Sequence, residues 1–236
     1  MNELPRFRPQ IDSRPVDSPW PIAIWPVPAD AVLVGRVVEL RVTTSADAPE
    51  LFAALDHDAV WSHVRGRPAN VDDMQQLVAD GVTTPTWCRW TLRLRVPLEQ
   101  FDVGAVVGTS SFLETSPVDA RTEIGFTAYT PGVWGTAVNP ETKLLLLRYA
   151  FETLGMGRVQ LKTDIRNVRS QQAIARLGAT YEGVLRRYQR RSDGSVRDTV
   201  LFSITAEEWP TVESRLTLRL NGLIDGAPSD EPEVTD

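Results

Sequence analysis

The sequence has a single cysteine, Cys88, so an internal disulfide framework is excluded. No stretch approaches the roughly 20 apolar residues that a membrane-spanning helix needs, and prolines interrupt the N-terminal region where a signal peptide would be apolar. A basic surplus is also lacking, and the net charge of −6 disfavours a nucleic-acid partner. These absences predict a cytoplasmic protein that binds neither nucleic acid nor a membrane.

Histidine is almost as scarce, since only His57 and His63 occur. They lie six positions apart, whereas metal-binding histidines on one helical face need a spacing of about three or four. We therefore predict no metal site, and satisfied or exposed polar side chains are the default for both histidines. Cys88 alternates with Trp87 and Arg89 along a predicted strand, which indicates a buried, neutral thiol rather than a nucleophile.

Proline is abundant, and its distribution marks one end of the folded region. Seven of the first 30 residues are prolines, so this stretch is neither regular helix nor a central strand. We predict an N-terminal extension over 1–33, whose apolar second half lies against the domain. Residues 222–236 carry five acidic and no basic side chains, which predicts a disordered acidic tail. One folded domain is expected over 34–221.

Hydrophobic periodicity gives this domain a mixed order of strands and helices. An antiparallel front half is followed by one strand–helix–strand crossover and then by a hairpin at Asp193-Gly194. The predicted fold class is α+β, with a mixed, mostly antiparallel twisted sheet of about seven strands and flanking helices. The predicted strands cover 37–42, 87–96 (with one wet face), 106–113, 121–127, 158–164, 181–191 and 196–204, and the predicted helices cover 45–55, 70–79, 140–154, 170–177 and 206–220.

The stretch 131–143, PGVWGTAVNPETK, places a glycine-rich turn directly before an apolar helix. Gly132 and Gly135 permit a sharp turn and a close approach to a ligand. Asn139 is a favourable N-cap, Pro140 suits the first helical position, and Glu141 suits the positive end of the helix, although it already supplies negative charge there. The free N–H groups of residues 134–138 would then converge on an anion. A phosphate cradle and a plain helix start both fit this spacing.

The segments around the turn resemble a known superfamily. The order of a strand, Gly132-x-x-Gly135-x-Ala137, a helix, the strand 158–164, Asn167-x-x-Ser170 and Leu177-Gly178 is similar to the GNAT superfamily of acyl-CoA-dependent N-acyltransferases. The phrases RVQLKTDIRNVRSQQAIARLGA, YEGVLRRYQRRSDGSVRDTVLFSI and EEW resemble its branch of ribosomal-protein N-terminal acetyltransferases. The resemblance covers about residues 34–220 and favours the phosphate cradle.

The resemblance implies a binding site for acetyl-CoA or another acyl-CoA as co-substrate. The turn's N–H groups would hold the pyrophosphate, and the pantetheine arm would pair with main chain in a gap between two diverging strands. Asn167 would contact the same arm. The family's turn usually starts with Gln or Arg, and Gly132 stands there in this sequence. The co-substrate-binding residues that the resemblance implies are Phe126, Thr127, Ala128, Trp134, Gly135, Thr136, Ala137, Val138, Asn167 and Ser170.

The reaction implied is direct attack of a primary amine on a thioester, which needs a base for the amine and an acid for the leaving thiolate. Ser170 matches the family position for the acid, whereas the tyrosine that many members use corresponds to Ile174. The glutamate that related enzymes use as base corresponds to Gln189, which cannot serve. Glu123, on the strand before the turn, is therefore the predicted base, and the alternative for Glu123 is a structural ion pair with Arg121 or another cation.

A dense basic cluster lies on the predicted hairpin, where alternation divides it between both faces. It consists of Arg186, Arg187, Arg190, Arg191 and Arg197. These side chains are either solvated strand residues or partners for an acidic acceptor or an acidic acyl group. A succinyl donor therefore stays open beside an acetyl donor. Exposed strands and the frequent dimerisation of related enzymes also leave a homodimer open.

The function that we predict is N-acyl transfer, with acetyl as the acyl group, to a protein N-terminus or a small-molecule amine. A catalytically silent acyl-CoA-binding module is one alternative, motivated by Gln189 and Gly132. A dinucleotide-dependent enzyme is a second, but its acidic residue follows the glycines by about 20 positions, and Asp164 lies further away. The sequence leaves the identity of the acceptor open.

Overall fold

The computed structural model describes residues 8–9, 11–12, 19–98 and 100–225. These residues form one sheet of eight strands with flanking helices, and the predicted α+β fold class is confirmed. The strands are β1 (Val32–Val34), β2 (Val38–Val42), β3 (Cys88–Leu94), β4 (Val106–Ser116), β5 (Arg121–Tyr129), β6 (Arg158–Asp164), β7 (Thr180–Arg190) and β8 (Val196–Thr205). The helices are α1 (Ala48–Leu55), α2 (Asp58–Trp61), α3 (Val71–Thr83), α4 (Val138–Arg148), α5 (Val168–Ala175) and α6 (Trp209–Asp225).

The strands have the order β1-β2-β3-β4-β5-β6-β8-β7, and each neighbouring pair is antiparallel except β5 and β6. The strand that the sequence did not predict is β1, whose three residues are too few for an alternating pattern and which forms by pairing with β2. At the other end, α6 runs to Asp225, so residues 222–225 are helical. The remainder of the predicted acidic tail lies outside the described residues.

Helices cover both faces of the sheet, and this corrects the prediction of a wet face on β3. Helices α1 and α3 lie over β4 and β3 on one face, while α4 and α6 pack on the opposite face. Trp90 therefore belongs to the core beneath α4, whereas Arg89 faces α3 and is only 3% exposed. The Arg89 guanidinium lies 4.5 Å from the centre of the Phe126 ring, so aromatic contact partly replaces the lost water.

Helix α4 begins at Val138, with Ala137 at the N-cap position, so the prediction of Asn139 as the cap was wrong. The Asn139 side chain is used elsewhere, because its Oδ1 accepts a hydrogen bond of 3.0 Å from the Tyr129 hydroxyl. Pro140 is the third helical residue rather than the first, a position that still needs no intrahelical N–H partner. The helix then passes into a π-helical turn, Tyr149–Thr153.

Glu141 lies in the first turn of α4, as predicted, but its carboxylate is bonded to the turn between β1 and β2. Its buried carboxylate accepts hydrogen bonds from the main-chain N–H groups of Arg36 (2.6 Å), Val37 (2.6 Å) and Val38 (2.7 Å). Glu141 therefore links α4 to the turn between β1 and β2 and satisfies three main-chain donors there. The same three hydrogen bonds stabilise the negative charge of the Glu141 carboxylate.

The segment 19–28 lies along the domain through hydrogen bonds to three separate loops. Trp20 Nε1 donates to Val118 O (3.1 Å), Ile24 N to Leu154 O (2.8 Å) and Trp25 Nε1 to Pro85 O (2.7 Å). The apolar second half of the N-terminal extension is thus held against the loops that follow β4, α4 and α3.

Strands β5 and β6 diverge, and this divergence creates the central gap of the molecule. They pair in parallel only from Arg121 to Glu123 on β5 and from Arg158 to Gln160 on β6. Beyond these residues β5 continues along β4, and β6 continues along β8. The edge of β5 that faces β6 therefore has no strand partner after Glu123.

Candidate active site

A cavity of about 620 Å³ occupies the gap between β5 and β6. It extends from the glycine-rich turn at 131–137, past the diverging strands, to the β7–β8 hairpin. Ala137 and Val138, which were predicted to bind the co-substrate, do not line it, and Val138 is buried in the core. The predicted site residues that do line it are Glu123, Phe126, Thr127, Ala128, Trp134, Gly135, Thr136, Asn167 and Ser170.

The glycine-rich turn offers fewer free main-chain donors than the sequence predicted. Three of the expected N–H groups are used within the turn: Trp134 N donates to Pro131 O (3.0 Å), Thr136 N to Val133 O (3.4 Å) and Val138 N to Thr136 Oγ1 (3.3 Å). The N–H groups of Gly135 and Ala137 donate no hydrogen bond to any of the described residues. These two donors remain for a ligand.

The two glycines of the turn have different roles. Gly135 has a φ of +80°, a conformation that strongly favours glycine, and a Cβ added there would meet no atom within 4 Å. Gly135 therefore faces open space. A Cβ at Gly132 would instead lie 2.6 Å from Phe101 Cε2, so this glycine permits packing and does not provide an approach to a ligand.

Arginines on α5 and α6 also line the cavity, and the sequence analysis missed them. They are Arg169, Arg176 and Arg219. The Arg169 guanidinium carbon lies 3.9 Å from the centre of the Trp134 ring, which holds this cation beside the turn. Arg169 and Arg176 are seven residues apart, about two helical turns, and this spacing was the available signal. The arginines supply the positive charge that Gly132 lacks.

Glu123, the predicted base, is buried at the point where β5 and β6 separate. Its side chain is 7% exposed, and its Oε2 lies 2.8 Å from Lys162 Nζ, without the alignment of a hydrogen bond. The other oxygen lies over Gly125, where a Cβ would approach it to 2.6 Å. Burial raises the pKa of Glu123, although Lys162 opposes this shift. Arg121 is not its partner, since that side chain faces Asp119 at 3.5 Å.

Lys162 connects Glu123 to the outer part of the cavity. Its Nζ also lies 2.9 Å from Glu114 and 3.0 Å from the hydroxyl of Tyr188, a cavity residue that the sequence analysis did not select. Burial alone would lower the pKa of Lys162, but the two glutamates raise it above its ordinary value. Lys162 is therefore a fixed positive charge beside Glu123.

Ser170, the predicted acid, is half-buried in the first turn of α5. The helix is capped by Asn167, whose Oδ1 accepts a hydrogen bond from Ser170 N at 3.0 Å. The Ser170 hydroxyl is not needed as the cap and bonds to nothing in the described part of the chain. Ile174, one turn further along, is buried and offers no proton.

Comparison with known proteins decides the family. Residues 38–180 match the family model described as the acetyltransferase (GNAT) domain. The chain belongs to the GNAT acetyltransferase family. Membership confirms the resemblance to the GNAT superfamily and makes the protein an acetyltransferase, with an acyl-CoA as co-substrate.

Relatives of this GNAT protein cover most of its length. The uncharacterised N-acetyltransferase YoaA of Bacillus subtilis (strain 168) is 27% identical over 165 residues, which are 70% of this chain and 91% of YoaA. A crystal structure described as an acetyltransferase from T. thermophilus is 35% identical, with a TM-score of 0.72, and the match covers 84% of this chain and 100% of that one. RimJ of Mycobacterium smegmatis, solved with CoA-disulfide, shares the fold at 22% identity and a TM-score of 0.65, over 78% of this chain and 91% of RimJ.

The two histidines and the cysteine that the sequence analysis considered do not come together in one site. His63 lines the cavity but His57 does not, and across the described ranges no group of three His, Cys, Asp or Glu side chains is placed to hold a metal. Cys88 is buried, and burial raises the pKa of its thiol to about 12. Within the same ranges, no helix combines the length and apolar character of a bilayer-spanning segment.

Lys143 is a buried cation in the wall of the cavity, and its charge is expected to destabilise the fold. Its Nζ donates to Thr127 Oγ1 at 2.7 Å, and it has no ion pair with a carboxylate of the described chain. Burial lowers its pKa to about 7, although the charge of Glu123 opposes the shift. Below that pH the folded state holds a buried ammonium, whereas the unfolded chain is protonated up to about pH 10.

The change Lys143→Met is therefore expected to raise the free energy of unfolding at pH 6 by on the order of 2 kcal/mol. The gain should decline as the pH rises from about 7 towards about 10, because the folded wild type then carries a neutral amine while its unfolded chain still binds a proton. Urea unfolding of the wild type and the variant, from pH 6 to the alkaline end of this range, measures the difference in the free energy of unfolding. Lys162→Met, which removes the partner of Glu123, is the control and should lose stability at neutral pH. A loss of stability by Lys143→Met at pH 6 would contradict this account.

Proposed function

We propose that this GNAT protein transfers an acetyl group from acetyl-CoA to a primary amine by direct attack. The amine nitrogen forms a bond to the thioester carbon, and the carbon–sulfur bond breaks. Glu123 accepts the proton that the amine loses, and Ser170 donates a proton to the leaving thiolate. The observation that carries the proposal is a single cavity that joins the glycine-rich turn to a buried carboxylate through the gap between β5 and β6.

The turn end of the cavity fits the diphosphate of CoA. The open N–H groups of Gly135 and Ala137 are donors for phosphate oxygens, and the guanidinium of Arg169 is held beside them. The pantetheine arm would then follow the unpaired edge of β5 along Phe126, Thr127 and Ala128. RimJ, a protein of the same fold, was solved with CoA-disulfide, which supports a CoA ligand for this protein.

Glu123 suits the role of base because it combines burial with an elevated pKa. A carboxylate whose pKa is raised takes up a proton more readily, in its ionised form, than an exposed carboxylate does. Lys162 stabilises that ionised form at a distance of 2.8 Å. Ser170 suits the role of acid because its hydroxyl lines the cavity while Asn167 caps the helix in its place.

The test is turnover of acetyl-CoA with a panel of amines, followed as release of free thiol. The panel contains peptides with free N-termini, the same peptides with blocked N-termini, and small amines. Thiol release that requires a free primary amine supports the proposal. CoA binding without turnover of any amine would favour the silent acyl-CoA-binding module. Faster turnover of succinyl-CoA than of acetyl-CoA would show that succinyl, and not acetyl, is the preferred acyl group.

The change Gly135→Val is expected to weaken CoA binding at least about tenfold. A β-branched residue disfavours the φ of +80°, and its side chain would enter the open space beside the free N–H groups. The matched control is Gly104→Val, which imposes similar strain at a φ of +87° on a loop outside the cavity. Isothermal titration with CoA compares the two variants, and equal losses would exclude a specific role for Gly135.

Two further predictions from the sequence stand beside this function. A homodimer is supported by the position of β7 at the edge of the sheet, where Tyr181 is 58% exposed, and light scattering of the purified protein tests it. The cytoplasmic location remains a prediction from the single cysteine.

A further inference from the structure

Two arginines at the hairpin end of the cavity have no acidic partner among the described residues. Arg65 follows α2 and donates through Nη1 to the main-chain oxygen of Arg190 at 2.9 Å. Arg197, on β8, donates through Nε to Thr199 Oγ1 at 3.1 Å. Both side chains line the cavity, and neither forms an ion pair with a carboxylate of the described chain. We call Arg65 and Arg197 the arginine pair.

The arginine pair differs from the neighbouring cations at this end of the cavity, because those cations have carboxylate partners. Lys162 contacts Glu123 and Glu114, and Arg191 makes two hydrogen bonds to Asp164, of 2.6 and 2.7 Å. Arg197 lacks such a contact although it is half-buried in the cavity wall. A guanidinium that loses water without gaining a counter-charge raises the free energy of the folded state. A ligand carboxylate would remove that unfavourable term.

Two other cations, Arg191 and Arg65, lie near enough to Arg197 to affect its pKa. Burial lowers the pKa of Arg197, and the positive charges of Arg191 and Arg65 lower it further, while Asp164 and Glu123 act in the opposite direction. Arg191 is already bound to Asp164, which leaves Arg65 and Arg197 as the two open guanidinium groups. Planar guanidinium groups bind a carboxylate through two parallel hydrogen bonds.

We propose that the arginine pair forms a subsite for a carboxylate carried by one of the two reacting ligands. The inference rests on the proposed function, because it places this carboxylate at the opposite end of the cavity from the phosphates of CoA and beside the base Glu123. The acceptor class that fits is an amine with a nearby acidic group. Polycationic amines are disfavoured, since Arg65, Arg197 and Lys162 would repel them.

The carboxylate has two sources, the acceptor amine or a dicarboxylic acyl group such as succinyl. The first arm of the test compares two acceptor peptides, amidated at the C-terminus, that begin with Asp or with Asn and are otherwise identical. Isothermal titration measures their affinities for the protein saturated with CoA, and the KM values with acetyl-CoA are measured in parallel. The second arm compares succinyl-CoA with acetyl-CoA, using the Asn peptide as acceptor.

Arg197→Gln is expected to weaken binding of the Asp peptide by about 10- to 100-fold and to leave the Asn peptide nearly unchanged. Arg197→Lys keeps the charge but not the planar pair of donors, so its effect should be intermediate. Arg186→Gln is the control, because that arginine is exposed on the same hairpin and does not line the cavity. A selective rise of the KM for succinyl-CoA in Arg197→Gln would support the same subsite with the acyl group as its ligand.

Equal effects of Arg197→Gln on both peptides and on both acyl donors would overturn the carboxylate subsite. This outcome differs from failure of the proposed function, which would show as no acetyl transfer by the wild type to any amine. Because the titration reads binding and needs no turnover, the Asp and Asn peptides still test the arginine pair in that case.

Discussion

Glu123→Gln is expected to lower kcat by about 10²- to 10⁴-fold at saturating acetyl-CoA and amine. Glutamine has nearly the same shape as glutamate but cannot take the proton that the attacking amine loses. The variant should still fold, since Lys162 keeps Glu114 as a partner at 2.9 Å. CoA affinity should also be retained, because Glu123 lies away from the glycine-rich turn. The rate at saturation and a titration with CoA are the two measurements.

Glu114→Gln is the matched control for this change. Both glutamates contact Lys162, but Glu114 is about half exposed whereas Glu123 is buried at the separation of the two strands. We expect the control to lower kcat by less than about fivefold, since an exposed ion pair contributes little. An unchanged kcat in Glu123→Gln would remove Glu123 from the reaction and leave only its structural pairing with Lys162.

The pH profile of the wild type gives an independent readout of Glu123. A base works in its ionised form, so kcat/KM should fall as the pH drops through the pKa of this group. Because burial raises that pKa, the acidic limb should lie above the ordinary value for glutamate, and it should be absent in Glu123→Gln. A limb that persists unchanged in the variant would belong to another group.

Glu141→Gln is expected to lower the free energy of unfolding by about 4 kcal/mol. The carboxylate accepts three main-chain hydrogen bonds at 2.6–2.7 Å in a buried position. Glutamine presents one oxygen and one NH₂ group, so at least one donor of the turn between β1 and β2 would face another donor. Gly35 leaves no space for a shift, because a Cβ there would already clash with the Glu141 carboxylate.

The control for Glu141 is Glu213→Gln, which removes a carboxylate that bonds Arg148 between α6 and α4 at 2.7 Å. That pair is partly exposed to solvent, so its loss should cost less than about 1 kcal/mol. Urea unfolding of both variants, at the pH where the wild type is most stable, makes the comparison. Equal small losses for the two changes would show that the contacts of Glu141 contribute little to stability.

Local sequence patterns predicted the elements whose neighbours did not alter them. The bounds of β6 match the prediction, and the Asp193-Gly194 hairpin and the helix before Gly178 are present. The start of α4 was wrong because a partner from another element competes locally: Tyr129 takes the side chain of Asn139. The wet face predicted for β3 was wrong because α3, the preceding helix, folds back over this strand, and α1 covers the neighbouring β4.

In the candidate site, too, the sequence predicted some features, whereas contacts between distant elements decided others. The residue types of the turn pointed to Gly135, and the family resemblance pointed to Glu123 and Ser170. Of the arginines that line the cavity, only Arg197 was selected from the sequence. The others were missed because they follow α2, lie at the two ends of α5 or belong to α6, segments that only the fold brings together. Which N–H groups of the turn stay free was also beyond the sequence, since it depends on hydrogen bonds within the folded turn.

The sequence alone determined the glycine-rich turn, the family and the order of the strands and helices other than β1 and α2, because periodicity and short motifs are local properties of a chain. Only the tertiary structure decided that Glu141 serves the turn between β1 and β2, that Lys162 faces Glu123, and that Arg65 and Arg197 remain without a counter-charge among the described residues. Burial and charge pairing are set by residues far apart in the sequence, and folding is what brings them together.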